Sequence, residues 1–309
     1  MRAFVLTEFG ATPQVVDIDV PEPAAGEVRV RVHAASVNGF DLSVAKGRLE
    51  GMMEHRFPVV LGKDFAGVVD ALGEGVADYA VGDRVFGVVT KAHLGDGSFA
   101  EYVTVSTAVG LAKLPEGVDF TTGAALGLAG AAAVSSVDAA ELQSGEKVLV
   151  VGATGGVGNQ AVQWATAAGA HVTGTAATSQ EKDLVATLGA QATVDHTGDL
   201  IAQVRELHPE GVDVVFHFAG DAQALLSVLR PGGRLVSTIV QPAQLPTEDA
   251  TVIGIYTNPD ADTLGRIAAG AAGGTTQLTI QHTLPLEQTQ QAFDTFAGGT
   301  LGKVVVTTA

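Results

Sequence analysis

Lys147-Val148-Leu149-Val150-Val151-Gly152-Ala153-Thr154-Gly155-Gly156-Val157-Gly158 is the stretch whose reading decides the fold. Its first five residues are a short apolar, β-branched run, the pattern of a parallel strand buried on both faces. A glycine-rich loop follows at once. Val157, Ala161, Trp164, Ala165 and Ala168 then fall on one helical stripe, which Gly169 ends. His171-Val172-Thr173-Gly174 reads as a second strand and completes a strand–loop–helix–strand unit. Gly155 admits backbone N–H groups to a pyrophosphate, and Gly158 lets the helix pack tightly on the strand. Ala153 takes the first fingerprint position in place of glycine. The loop predicts a dinucleotide site in which Thr154, Gly155, Gly156 and Val157 cradle the pyrophosphate. The alternative is a bare structural turn.

The end of the second strand bears on which dinucleotide. A site for NADH usually carries an acid there, to accept from the ribose hydroxyls. This chain reads Thr175-Ala176-Ala177-Thr178-Ser179-Gln180-Glu181-Lys182, with no acid before Glu181. Thr175, Thr178 and Ser179 offer hydroxyl donors to a 2′-phosphate, and Lys182 adds positive charge. Thr178 also reads as a helix cap, with Glu181 completing a capping box. The expected cofactor is NADPH.

Composition narrows the class. The 309 residues suffice for two domains, each with its own core. No apolar run stands out as long enough to span a membrane. Met1 to Leu6 reads as a strand and lacks the features of a signal peptide, so the cytoplasm is the expected location. With no cysteine, disulfides, thiolate zinc sites and a cysteine nucleophile are excluded together. A net charge of −17 argues against a nucleic-acid partner.

Outward from the central stretch, the chain changes character. Residues 1 to about 120 are mostly β in pattern. Val15 to Val20 and Glu27 to Ala34 alternate with period two, and further strands are expected at 67–69, 84–89 and 99–105. Glycine turns separate them, as in a partly open barrel. From residue 121 strands alternate with helices. Ala192 to Val194, Val212 to Phe218 and Arg234 to Ser237 read as buried strands, with helices at 199–207 and 221–229 between them. That order predicts a doubly wound parallel sheet. The expected fold class is α/β, with a barrel domain over 1–121, a dinucleotide domain over 122–256, and a tail, 257–309, that returns to the first. The run Thr251-Val252-Ile253-Gly254-Ile255 reads as a sheet edge able to pair with a second copy, so a homodimer is expected.

Several short motifs carry a resemblance. They are Ala35-Ser36-Val37-Asn38-Gly39-Phe40-Asp41, Gly62-Lys63-Asp64-Phe65-Ala66-Gly67-Val68-Val69, Val81-Gly82-Asp83-Arg84-Val85-Phe86-Gly87 and Gly97-Ser98-Phe99-Ala100-Glu101-Tyr102-Val103. Leu229 to Val236 and the terminal Gly302-Lys303-Val304-Val305-Val306 join them. With the glycine loop, the chain resembles the medium-chain dehydrogenase/reductases, and among them the zinc-free quinone oxidoreductase (ζ-crystallin-like) branch. The resemblance implies a GroES-like catalytic domain, built from both chain ends, and a Rossmann domain between them.

It also implies site residues. Asn38 stands at the position like the cysteine that holds the catalytic metal in zinc-dependent relatives, and Lys63 at the position like their histidine. The eight histidines show no ligand-type pairing, so no metal site is expected. Without a Lewis acid, a quinone or an α,β-unsaturated carbonyl is an easier hydride acceptor than a plain ketone, because conjugation spreads the developing charge. Asn38 and Asp41 are the expected catalytic residues, although Asn-Gly also favours a turn and Asp41 also suits a cap. Ser43 stands where some quinone reductases carry a tyrosine, and Ala132 where the family commonly has a threonine. Lys63, His93, Tyr102 and Tyr256 are further candidate proton donors. His196 is expected over the 2′-phosphate, Phe218 and Ala219 at the carboxyl edge of the fourth strand where ligands bind, and Val240 and Asn258 beside the nicotinamide. The alternatives are an enoyl or ketone reductase of a biosynthetic pathway, and an NADPH-binding sensor or structural protein with little turnover.

Overall fold

The computed structural model describes residues 1–308. The chain divides into two compact units. Met1–Ala131, Pro259–Gly274 and the chain from Ile280 onward make the first; Ala132–Asn258 and Thr275–Thr279 make the second.

The first unit is built on antiparallel pairing. Its strands are β1 (Arg2–Leu6), β2 (Gln14–Asp17), β3 (Glu27–Ser36), β4 (Val59–Val60), β5 (Asp64–Leu72), β6 (Arg84–Val88), β7 (Tyr102–Ser106) and β8 (Leu111–Lys113). A short helix, α1 (Gly39–Ala45), leaves β3, and a long one, α2 (Phe120–Ala140), follows β8. In β3, Val28, Val30 and Val32 are buried while Arg31 is exposed, the period-two alternation of a strand with one face on a core. β3 pairs with both β5 and β7. The core gathers Phe4, Phe65 and Phe99 with Phe293 from the far end of the chain, and Phe293 meets Phe4 and Phe99 edge-on at 5.5 and 5.6 Å.

The second unit alternates strand and helix. In order these are β9 (Lys147–Val151), α3 (Gly156–Ala167), β10 (His171–Thr175), α4 (Ser179–Thr187), β11 (Ala192–Val194), α5 (Leu200–Leu207), β12 (Val212–His217), α6 (Ala222–Leu225), β13 (Leu229–Ser237) and β14 (Ala250–Gly254). The six strands pair in parallel in the order β11-β10-β9-β12-β13-β14. Val148 and Val150 face one core and Leu149 and Val151 another, which explains the unbroken apolar run at 147–151. The order reverses between β9 and β12, and in such sheets ligands bind at the carboxyl ends beside that reversal.

The remaining elements are α7 (Ala261–Ala272), β15 (Ile280–Pro285), α8 (Thr289–Ala297) and β16 (Lys303–Thr307). β16 pairs antiparallel with β3, so the last strand enters the sheet of the first unit. The segment Thr275–Thr279 is the exception to the expected return of the tail. Gln163 on α3 binds it through both backbone groups of Gln277, at 2.6 and 2.7 Å.

Other expectations need correction. α2 has alanine and glycine spread around its circumference, so no one-sided stripe reveals it, and most of its residues are buried. It is also long and apolar enough to cross a membrane by length and composition, although 72% of its most apolar window is buried within the protein. The division between units falls inside α2, beyond the boundary expected near residue 121. The helix expected over 221–229 is a single turn followed by a 3-10 turn at Leu226–Val228, and Leu229 already belongs to β13.

Two glycines fix the loop after β9. Gly152 has φ +87°, a region closed to most side chains, and a Cβ on Gly158 would lie 2.0 Å from the Gly152 carbonyl oxygen. Gly158→Ala therefore forces α3 away from β9. The expected cost is about 1–3 kcal/mol in chemical denaturation, even though alanine has the better helix propensity. An unchanged or raised midpoint would contradict this packing.

Candidate functional site

In the first unit, three strand ends bring polar side chains into an otherwise apolar core. β3 ends at Ser36, β5 begins at Asp64 and β16 begins at Lys303, and β3 pairs with both of the others. Ser36, Asn38, Asp41, Asp64 and Lys303 are all buried. One Asp64 carboxylate oxygen accepts from the Ser36 hydroxyl at 2.5 Å and from Asn38 Nδ2 at 2.9 Å. The other accepts from the Leu128 backbone N–H at 2.7 Å. Lys303 Nζ donates to Asn38 Oδ1 at 2.6 Å and to the Val37 carbonyl at 3.0 Å, and lies 3.6 Å from Asp64. Asn38 Nδ2 also donates to the Ser36 carbonyl at 3.2 Å. Both amide hydrogens of Asn38 are thus committed within the cluster.

Asp41 lies in the first turn of α1, where its carboxylate accepts from the Asn38 backbone N–H at 2.8 Å. Burial, and then the nearby Asp64 charge, push its carboxyl up to about 7. Burial likewise lowers the ammonium groups of Lys303 and Lys63, against the pull of the two carboxylates. Lys63 Nζ donates to the Val89 carbonyl at 2.7 Å and sits 5.0 Å from the Phe40 ring centre. A small pocket of about 10 Å³ is lined by Asp41 and Lys63, together with Phe40, Val44 and Leu94. It is about the size of one water molecule.

In the second unit, the turn after β9 is held from below. Thr175, at the end of β10, accepts from the N–H groups of Gly152 and Ala153 at 2.9 and 3.4 Å. Its side chain is buried, so it shapes the loop and is closed to the phosphate contact expected of it. Thr154 to Val157 are partly exposed while Gly158 and Asn159 are buried, so the loop presents its first turn outward. Gly155 is the N-cap of α3, and the first N–H groups of a helix have no acceptor within it. Open loop and free donors fit a bound pyrophosphate.

Thr178, Ser179 and Lys182 are exposed at the start of α4. Thr178 Oγ1 accepts from Glu181 N at 3.2 Å, and Glu181 accepts from Thr178 N at 3.1 Å, a complete capping box. His196 is exposed, its Nε2 3.9 Å from the Glu181 carboxylate. Phe218 and Val240 are half-buried and Ala219 and Asn258 exposed. A Cβ on Gly152 would come within 3.2 Å of the Ala219 side chain, which places the 218–220 loop against the glycine turn. Of the further donor candidates, Tyr256 is 82% exposed and Tyr102 lies under the Arg29 guanidinium.

Ser36, Asp64 and Lys303 belong to the buried cluster around Asn38 although the sequence pattern did not single them out. For Asp64 and Lys303 the signal was a charged residue opening a strand that is otherwise apolar, Asp64 before Phe65-Ala66 and Lys303 before Val304-Val305-Val306; Ser36, at the end of its strand, gave none.

Two family descriptions match the chain. Residues 24–116 match the alcohol dehydrogenase GroES-like domain, and residues 156–258 match the zinc-binding dehydrogenase domain. Quinone oxidoreductase from Rattus norvegicus is 31% identical over 99% of this chain and 97% of its own length. The chain belongs to the medium-chain dehydrogenase/reductase superfamily, in its ζ-crystallin-like quinone oxidoreductase branch. Its fold is accordingly a GroES-like domain with a Rossmann-type parallel sheet. The quinone oxidoreductase of Coxiella burnetii superposes with a TM-score of 0.90 at 26% identity, covering 100% of this chain and 99% of that one. A mycobacterial protein solved in complex with NADPH superposes with a TM-score of 0.86 at 26% identity over the whole of both chains. The second domain description names zinc, but the residues here do not fit one. Among the described residues no three His, Cys, Asp or Glu side chains are grouped as a metal requires, and the positive charges near Asp41 and Asp64 are lysine ammonium groups.

The raised Asp41 carboxyl has a stability signature. The folded chain holds this proton more tightly than the unfolded one, so the group's contribution falls as pH rises from about 4 to about 7. Asp41→Asn keeps an acceptor for Asn38 N–H and removes the titration. Chemical denaturation at about pH 5 and about pH 8 is expected to show the variant losing less stability than the wild type over that interval. Equal losses in the two proteins would show that Asp41 does not titrate there.

Proposed function

We propose that this oxidoreductase transfers hydride from NADPH to a quinone or an α,β-unsaturated carbonyl without a metal ion. The observation that carries the reading is the make-up of the buried cluster. Asn38 Oδ1 accepts from the buried Lys303 ammonium at 2.6 Å, and by the family resemblance Asn38 and Lys63 stand at the positions like the cysteine and histidine of zinc-dependent relatives. Such a site lacks the means to polarise a plain ketone strongly, whereas a conjugated acceptor spreads the developing charge itself.

When bound, the reduced nicotinamide supplies the hydride. The loop Thr154, Gly155, Gly156 and Val157 cradles the pyrophosphate through the N–H groups of Thr154, Gly156 and Val157, that of Gly155 being given to the Gly152 carbonyl at 3.1 Å. Thr178, Ser179, Lys182 and His196 receive the 2′-phosphate. Glu181 directs its carboxylate to the start of its own helix, onto Thr178 N–H, and leaves those hydroxyls exposed. Phe218, Ala219, Val240 and Asn258 flank the nicotinamide half. Asn38 acts as a fixed orienting group, since its amide hydrogens are committed. Asp41, with its carboxyl at about 7 beside a pocket the size of one water, exchanges a proton around neutral pH, where about half of the molecules carry it.

The test is oxidation of NADPH and of NADH against quinones, enones and plain ketones, with a strong chelator present. The expected result is turnover of a quinone or enone, at least about tenfold better with NADPH in kcat/KM and unaffected by chelator. Preference for NADH would refute the roles given to Thr178, Ser179 and Lys182. Loss of activity in chelator would refute the metal-free reading.

A further inference from the structure

His217 and Ser237 are buried polar residues in the second unit. They are the last residues of β12 and β13 and are paired directly across the sheet. His217 Nε2 lies 3.1 Å from the Gly220 carbonyl oxygen, and its Nδ1 lies 2.9 Å from Ser237 Oγ. Ser237 Oγ in turn accepts from the N–H groups of Ile239 and Val240, at 2.9 and 3.0 Å.

The direction of every proton follows. A carbonyl only accepts, so Nε2 carries the hydrogen and donates to Gly220. In a neutral imidazole Nδ1 is then an acceptor, and the Ser237 hydroxyl donates to it. The two lone pairs of the hydroxyl take the two backbone N–H groups. No donor or acceptor is left over. The circuit ties the 218–220 loop to the 238–240 loop, and the first of these packs against the glycine turn at Gly152.

We infer that His217 and Ser237 form a positioning pair that sets the nicotinamide-side wall of the dinucleotide site. The inference rests on the proposed binding of NADPH at this sheet. In a doubly wound sheet the adenosine ribose is read at the end of the strand after the glycine loop's helix, here β10. The loops after β12 and β13 lie across the reversal of strand order, on the side left to the other mononucleotide. A defect in the His217–Ser237 circuit therefore acts on one half of the ligand. A residue that merely stabilised the fold would affect both halves.

That difference is the test. Binding of NADPH and of 2′,5′-ADP, which carries only the adenosine half, is measured by calorimetry for wild type, Ser237→Ala, His217→Asn and His217→Gln. Ser237→Ala frees the Ile239 and Val240 N–H groups and leaves Nδ1 without its donor. His217→Asn retains an acceptor for Ser237, and His217→Gln retains a donor for Gly220. The expected result is a rise of about tenfold in the Kd for NADPH in Ser237→Ala, with the Kd for 2′,5′-ADP within about twofold of wild type. Each histidine variant is expected to keep the contact it preserves and to fall between wild type and Ser237→Ala. Equal weakening of both ligands would make the pair merely structural, and unchanged NADPH binding would remove its role; either overturns the inference. Wild-type protein that binds neither ligand would instead overturn the dinucleotide reading itself.

Discussion

The ion pair between Lys303 and Asp64 is the interaction on which the first unit depends. Both groups are buried, and a charge taken out of water is costly unless paired and hydrogen-bonded. Here the compensation comes from distant parts of the chain. Ser36 and Asn38 leave β3, Asp64 opens β5, and Lys303 opens the last strand, more than two hundred residues later. The pairing of β16 with β3 brings the ammonium to the Asn38 amide, so the end of the chain completes the site begun near its start. Removing either charge would strand the other in an apolar core.

The same cluster gives Asn38 and Asp41 different parts. Asn38 has no amide hydrogen left to offer, since both are bound by Ser36 and Asp64. Asp41 stands at the edge of the cluster beside Lys63 and a water-sized pocket. The Lys303 and Lys63 ammoniums oppose, without cancelling, the burial that raises the Asp41 carboxyl. In the second unit the corresponding constraint is steric and local. Gly152, Gly158 and the Thr175 hydroxyl leave one conformation for the glycine turn, and that turn directs helix α3.

Much of the architecture was legible in the sequence because it rests on periodicity. The period-two alternation of β3 and the apolar run of β9 each state which faces are buried. Helix α2 escaped because it is buried on most sides and small-residue composition leaves no stripe. In the site, local readings held where the partners are near in sequence, as with Thr178 and Glu181 in their capping box. Long-range partners were not legible. Nothing in Gly302-Lys303-Val304 says that the ammonium ends beside Asn38, and nothing in Val215-Phe216-His217 says that the ring closes a circuit with Ser237. Thr175 shows the converse error: a hydroxyl in the right segment faces inward and holds the loop.

The central claim is direct hydride transfer from bound NADPH to a conjugated acceptor without a metal. The most direct measurement uses NADPH dideuterated at C4 of the nicotinamide, an enone acceptor, and protein whose metal content has been assayed and stripped. The account predicts one deuterium at the β-carbon of the reduced product, formed at the same rate before and after the protein is stripped of metal. Turnover that requires restored zinc, or a product without deuterium at that carbon, would contradict it.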